Sequence, residues 1–177
     1  MFKAIIPFID KCSYFDHLKI MAQVFALLKA NCHALFDDFV LESEKSIFKN
    51  IFEFVQHFLP YFWVFLDEKN EFMGFCYLYG VKEAENQLKS AFITVCFKRK
   101  FFNKAVRNVA FDFVPMLFHK YKFDKLKAEC FSSNPSATRL LKDLNFKFKV
   151  RFENETVVCG KKVDLNIFEL EKKDLKP

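Results

Sequence analysis

Glycine is scarce in this chain: three residues in 177, with five prolines. That leaves no flexible linker and no low-complexity segment, and it excludes a phosphate cradle built from glycines. The six cysteines (Cys12, Cys32, Cys76, Cys96, Cys130, Cys159) stand singly, with no CxxC and no Cys/His cluster. Reduced thiols are expected, with no metal site and no disulfide framework. No apolar run approaches the roughly 20 residues that span a bilayer. The first stretch, MFKAIIPFIDKCSYFDH, is broken by Pro7, Asp10 and Lys11 and lacks a small-residue cleavage site. A cytoplasmic protein with no membrane partner is the default expectation.

What is present is a globular composition, 52% hydrophobic and 28% charged, sized for one domain over residues 1–177. The 27 phenylalanines are what A/T-rich codons produce and carry no functional weight. A net charge of +6 suits an anionic partner or plain solubility, and both stay open.

Periodicity orders the elements. FKAII (2–6) reads as a short strand. Leu18, Met21, Ala22, Phe25 and Leu28 define a helix over 15–30, and Ile47, Ile51, Phe54 and Val55 a second over 43–58. YFWVFLDE (61–68) and FMGFCYLYGV (72–81) read as strands joined by the polar turn Glu68-Lys69-Asn70-Glu71, and KSAFITVCFK (89–98) as a third. A helical stripe runs from Val106 to Phe118, with Asn103 as its N-cap and Pro115 expected to kink or break it. KLKAECF (125–131) is a strand. A short helix opens at Pro135 and ends near Asn145. The runs 146–153 and 163–171 close the chain as a hairpin around residues 154–160. This order predicts an α+β fold with a mixed, mostly antiparallel sheet of about six to seven strands flanked by helices.

VCFKRKFFNKAVRNVAF (95–111) is therefore a strand entering a helix through a basic bend. Helix N-termini hold anions because their first N–H groups are unpaired and the helix dipole is positive there.

The element order resembles that of the GNAT acyl-CoA N-acyltransferases, and local signatures fall in register with it. DEKNEFMGFCYLYGV, with Gly74-Phe75, is similar to the family's central hairpin. SSNPSATRLLKDLNFKF is similar to its later motif, with Asn134, Ala137, Leu140 and Asn145-Phe146 at the corresponding positions. NETVVCGKKVDLNIFELE is similar to its closing hairpin. The resemblance covers roughly residues 61–171.

It implies an N-acetyltransferase that takes acetyl-CoA and acts on an unidentified amine, either a small molecule or a protein N-terminus or lysine. It also places the pyrophosphate at the bend, where the family carries Arg/Gln-x-x-Gly-x-Gly/Ala. Here Phe102, Ala105 and Arg107 occupy those three positions. The implied cofactor-binding set is Phe97, Arg99, Phe101, Phe102, Asn103, Lys104, Ala105, Val106, Arg107 and Asn134, with Lys98 and Lys100 supplying further charge. A main-chain N–H between Thr94 and Phe97 would polarise the thioester carbonyl. The family's thiolate-protonating Tyr is replaced by Leu141, with Tyr77 or Tyr79 as substitutes out of position. Glu129 is the candidate catalytic base, ahead of Glu71 and Glu83. His17, His33, His57 and His119 are isolated.

A second reading stays open beside it: a GNAT-shaped protein without catalysis that serves as a binding or assembly factor. An enzyme needs an open cleft between strands 89–98 and 125–131, whereas a scaffold can fill that cleft with side chains such as Phe102. A homodimer or another protein partner is compatible with either. Nucleic-acid binding is disfavoured, because the aromatics alternate as core residues do and no ribonucleoprotein-type aromatic motif occurs.

Overall fold

A computed structural model describes residues 2–7, 10, 14–31, 47–83, 88–102, 104–158 and 160–175. Its elements run β1 (Lys3–Ile5), α1 (Tyr14–Asn31), α2 (Ile47–Phe58), β2 (Phe62–Leu66), β3 (Phe72–Lys82), β4 (Ser90–Phe97), α3 (Lys104–His119), β5 (Lys125–Phe131), α4 (Pro135–Asp143), β6 (Lys147–Val158) and β7 (Lys161–Glu171). The strands form a seven-stranded sheet in the order β1-β2-β3-β4-β5-β7-β6. It is mostly antiparallel, with β4 and β5 parallel. The α+β architecture expected from the element order is present. Contacts group the chain into two compact units, residues 1–78 with 95–102, and residues 79–94 with 103–177.

In the first unit, every residue of β2 is buried, as is the whole run from Phe72 to Leu78. Strands buried on both faces read as continuous apolar runs, which is why this stretch shows no alternation. α2 lays Ile51, Phe54, Val55 and Phe58 into the core. Phe54 meets Phe62 and Tyr77 edge-on at 5.9 and 5.4 Å, and Phe62 stacks on Phe75 at 5.6 Å. The phenylalanines here are core, each pair adding a modest increment beyond burial. The α1 stripe is rotated from the expected one. Ile20, Met21, Val24, Leu27 and Leu28 are buried, whereas Leu18 and Ala22 face solvent. Several helical stripes fit an apolar-rich helix equally well, and packing selects among them. The turn after β2 forms as expected. Asp67 accepts the N–H groups of Lys69 and Glu71, and Asn70 adopts a left-handed φ of 58°.

In the second unit the core collects Val106, Val109, Phe113, Val114, Leu117 and Phe118 of α3 with Leu126, Ala128, Leu165, Phe168 and Leu170 of the strands. α3 runs through Pro115 without the break that this residue might impose. Pro removes one ladder donor, and the buried stripe on both sides outweighs that loss. Its N-cap candidate Asn103 lies outside the described residues, as do residues 43–46 of the expected second helix. Asn134 caps α4, its Oδ1 accepting the N–H of Ala137 at 3.1 Å. Asn145, standing where the resemblance has glycine, takes φ 71° after that helix, a conformation Asn tolerates better than most residues. The final hairpin is tighter than expected. β6 and β7 extend to Val158 and Lys161, and residues 154–160 are mostly strand. A bulge between Phe152 and Thr156 absorbs the polar stretch. Asp164 pins it by accepting the N–H of Asn154 at 2.9 Å and pairing with Arg151, and these contacts hold its carboxyl below the usual range.

Candidate functional site

The centre of interest is the parallel pair of strands. β4 pairs with β5 through Ser90↔Lys125, Ala91↔Leu126 and Phe92↔Lys127. Among the described residues the pairing ends there, although β4 continues through Ile93 and Thr94 and β5 through Ala128 to Phe131. The edge of β4 beyond Phe92 thus carries main-chain groups with no strand beside them. Lys98 donates its N–H to the carbonyl of Met73 on β3 at 2.8 Å. Alternation along the strand then directs the N–H groups of Phe97 and Val95 to the opposite, open edge. Val95 is 45% exposed, although it belongs to a central strand of the sheet. Phe102 is 47% exposed.

The bend after β4 is a single 3-10 turn, Arg99–Phe101, in which Phe101 and Phe102 donate their N–H groups to the carbonyls of Lys98 and Arg99. Those two amides are therefore engaged inside the turn. The donors that remain for an anion are the first-turn N–H groups of α3 at Lys104, Ala105 and Val106, which have no intrahelical acceptor. Ala105, half-buried, is the smallest side chain at this end. The five cations of the bend separate by partner. Lys98 lies over the Phe72 ring, Lys100 pairs with Glu71 and covers Phe101, and Arg107 pairs with Asp143 at 3.5 Å. Arg99 and Lys104 are exposed and pair with no carboxylate among the described residues. Asn103 lies outside the described residues.

Gly74 shows why β3 needs a glycine. A Cβ there would sit 2.3 Å from the Cys96 carbonyl oxygen and 2.7 Å from Phe97 Cα. The bare backbone of Gly74 lets β4 approach at the residues that line its open edge.

Of the three carboxylates expected as bases, Glu71 is tied to Lys100 and Glu83 to Lys89 at 2.9 Å. Glu129 on β5 is different. It is half-buried just past the last β4–β5 pair, and its Oε2 accepts the Tyr79 hydroxyl at 2.7 Å. Tyr79 stacks on Phe92 with ring centres 5.1 Å apart, and the Lys127 ammonium lies 5.4 Å from the Phe92 ring. One sheet face thus gathers Tyr79, Phe92, Lys127 and Glu129. The sequence offered Tyr79 and Glu129 separately and did not pair them, because pairing requires the strand order that sets β3 two strands from β5. Leu141 lies half-buried on α4, so no phenol stands at that position. His57 and His119 are exposed at helix ends, and His17 is half-buried on α1. His33 lies outside the described residues.

The described cysteines are buried free thiols. Burial pushes Cys96 up to about 12 and raises Cys76 and Cys130. The thiolate is the reactive form. Native alkylation followed by peptide mass mapping should therefore leave Cys76 and Cys96 unmodified, while the denatured chain labels at both. Rapid native labelling of Cys96 would contradict its burial. Among the described residues no three His, Cys, Asp or Glu side chains gather as a metal site, and no helix is long and apolar enough to cross a membrane.

No family model matches the chain, and no curated protein matches it in sequence. Solved structures do. The spermidine N-acetyltransferase of Vibrio cholerae, in complex with CoA and spermine, superposes with a TM-score of 0.75 at 14% identity, covering 98% of this chain and 96% of that one. The ribosomal-protein-S5-alanine acetyltransferase of Vibrio fischeri superposes with a TM-score of 0.71 at 12% identity, covering 99% and 96%. The fold is that of the GNAT acyltransferases. Identities this low carry architecture and not chemistry.

Proposed function

We propose that this protein is an acyl-CoA-dependent N-acetyltransferase that transfers an acetyl group to an amine in the cytoplasm. The observation that carries the reading is that the β4–β5 ladder ends at Phe92↔Lys127 while β4 runs on, with Val95 exposed. A scaffold with no ligand would gain stability by closing or filling such an edge, since an open strand edge is a liability in itself.

The bound acetyl-CoA supplies a thioester carbon open to attack by an amine. The N–H groups of Val95 and Phe97 face the open edge, where one of them polarises the thioester carbonyl. The first-turn N–H groups of α3 at Lys104, Ala105 and Val106 hold the pyrophosphate, and Arg99, Lys104 and Arg107 add charge without glycines. Asn134 caps α4, with its loop against the pantetheine arm. Glu129 takes the proton from the incoming ammonium, so that a neutral amine attacks. The second proton leaves the amine nitrogen as the carbon–sulfur bond breaks, and the departing sulfur or solvent receives it. The Vibrio cholerae neighbour is a spermidine N-acetyltransferase in complex with CoA and spermine, which makes small amines the first acceptors to screen, ahead of protein N-termini and lysines.

Two observations favour the rival, a GNAT-shaped binding or assembly factor. Leu141 supplies no proton, and two amides of the bend are engaged internally. Isothermal titration with acetyl-CoA separates the two readings. Micromolar binding is expected for the native chain, and its loss is expected in Ala105→Glu, which sets a carboxylate at the helix start where the phosphates would lie. No binding at millimolar acetyl-CoA would remove the enzyme reading and leave the binding factor.

A further inference from the structure

We infer that Tyr79 is a positioning residue for acetyl transfer, holding Glu129 in place through its hydroxyl. The inference rests on the proposed role of Glu129 as base. Strands in a sheet are about 4.8 Å apart, so β3 and β5 are separated by about 10 Å with β4 between them. A tyrosine and a glutamate leaning toward each other span that gap, whereas a phenylalanine or an aspartate would leave it open. The observed contact, 2.7 Å from the phenol oxygen to Oε2, bridges over the strand whose edge is open.

Both partners are braced. The Tyr79 ring stacks on Phe92 with an interplanar angle of 19°, which fixes the phenol laterally. Phe92 in turn carries the Lys127 ammonium. Lys125, Lys127 and Glu129 share one face of β5 by strand alternation. On that face Glu169 of β7 draws Lys125 and Lys127, together with Lys149 of β6, and Glu171 draws Lys125 again. The lysines are thus drawn toward β7, and Glu129 accepts the phenol. A glutamate has three rotatable bonds, and a single hydroxyl donor selects one arrangement among its rotamers. The second oxygen, Oε1, is left to meet the acceptor amine.

This geometry also assigns what Tyr79 does not do. Its proton points at a carboxylate, so it is not the donor for the departing thiolate that the missing Tyr at position 141 would have been.

A double-mutant cycle tests this. Tyr79→Phe keeps the ring and its stacking on Phe92 and removes only the hydroxyl. It should lower kcat about tenfold and leave KM for acetyl-CoA unchanged. In the Glu129→Gln background the same substitution should lower kcat no further, because the group it positions is already gone. Crystals of Tyr79→Phe should show the Glu129 carboxylate in more than one rotamer. An equal loss in both backgrounds, or an unmoved single Glu129 rotamer, would overturn the positioning role while acetyl transfer stands. A freed Glu129 rotamer in a protein whose native form acetylates no amine would instead sink the proposed activity, and the positioning role of Tyr79 in it.

Discussion

Gly74→Ala should destabilise the protein by about 3 kcal/mol or more, which a chemical-denaturation midpoint would show directly. The added methyl meets the Cys96 carbonyl oxygen at 2.3 Å and Phe97 Cα at 2.7 Å. Both are main-chain atoms, so no side-chain rotation relieves the clash and the strands must move apart. The movement would fall where Lys98 bonds Met73 and where Phe97 stacks on Phe65 with centres 5.3 Å apart. Gly160→Ala provides the contrast. Its φ is +75°, and no atom lies within 4 Å of the added carbon. Only left-handed strain opposes it, about 1 kcal/mol. Equal losses at the two positions would mean that β3 and β4 are not as close at Gly74 as the geometry requires. An acetyl-CoA titration of any folded Gly74→Ala protein should also weaken, because the same displacement shifts the N–H groups of Val95 and Phe97.

Glu129→Gln should lower kcat for acetyl transfer by about 10²–10⁴-fold, the range for loss of a general base. The substitution is isosteric and keeps an oxygen for the Tyr79 hydroxyl, so the fold and the phenol contact survive it. Binding of acetyl-CoA should not change, since Glu129 lies on β5 and the proposed phosphate donors lie at the start of α3. Steady-state kinetics together with titration calorimetry separate the two quantities. An unchanged kcat would remove Glu129 as the base. Glu71 and Glu83 would be poor replacements, each being held by a lysine.

Much of the fold was legible in the sequence because its periods are strong. The strands 61–68, 72–81 and 125–131 and the helix opening at Pro135 lie within a residue or two of the observed elements. Gly74-Phe75 and Asn145-Phe146 carried the resemblance that the superposed structures then supported. Harder to read were features that depend on competition between neighbours. The stripe of α1 turned to Ile20 and Val24 because an apolar-rich helix has several usable faces. The last hairpin's strands lengthened and its loop tightened, with Asp164 pinning the bulge at Asn154, a contact no periodicity announces. α3 kept Pro115 because burial on both sides outweighs one missing hydrogen bond.

The candidate site divides in the same way. The chain's order of residues determined by itself that a basic, glycine-free bend precedes a helix, that Leu141 stands where a phenol is usual, and that Glu129 lies on a strand. The bend and the strand are local facts, set by composition and spacing along the chain, whereas the mismatch at Leu141 is read against the family that the chain resembles. Only the tertiary structure decided that the β4–β5 ladder ends at Phe92 and that Tyr79 reaches Glu129. Each depends on which strands become neighbours. Strand order arises from burying apolar surface shared by segments 50 residues apart, information that no window along the chain contains.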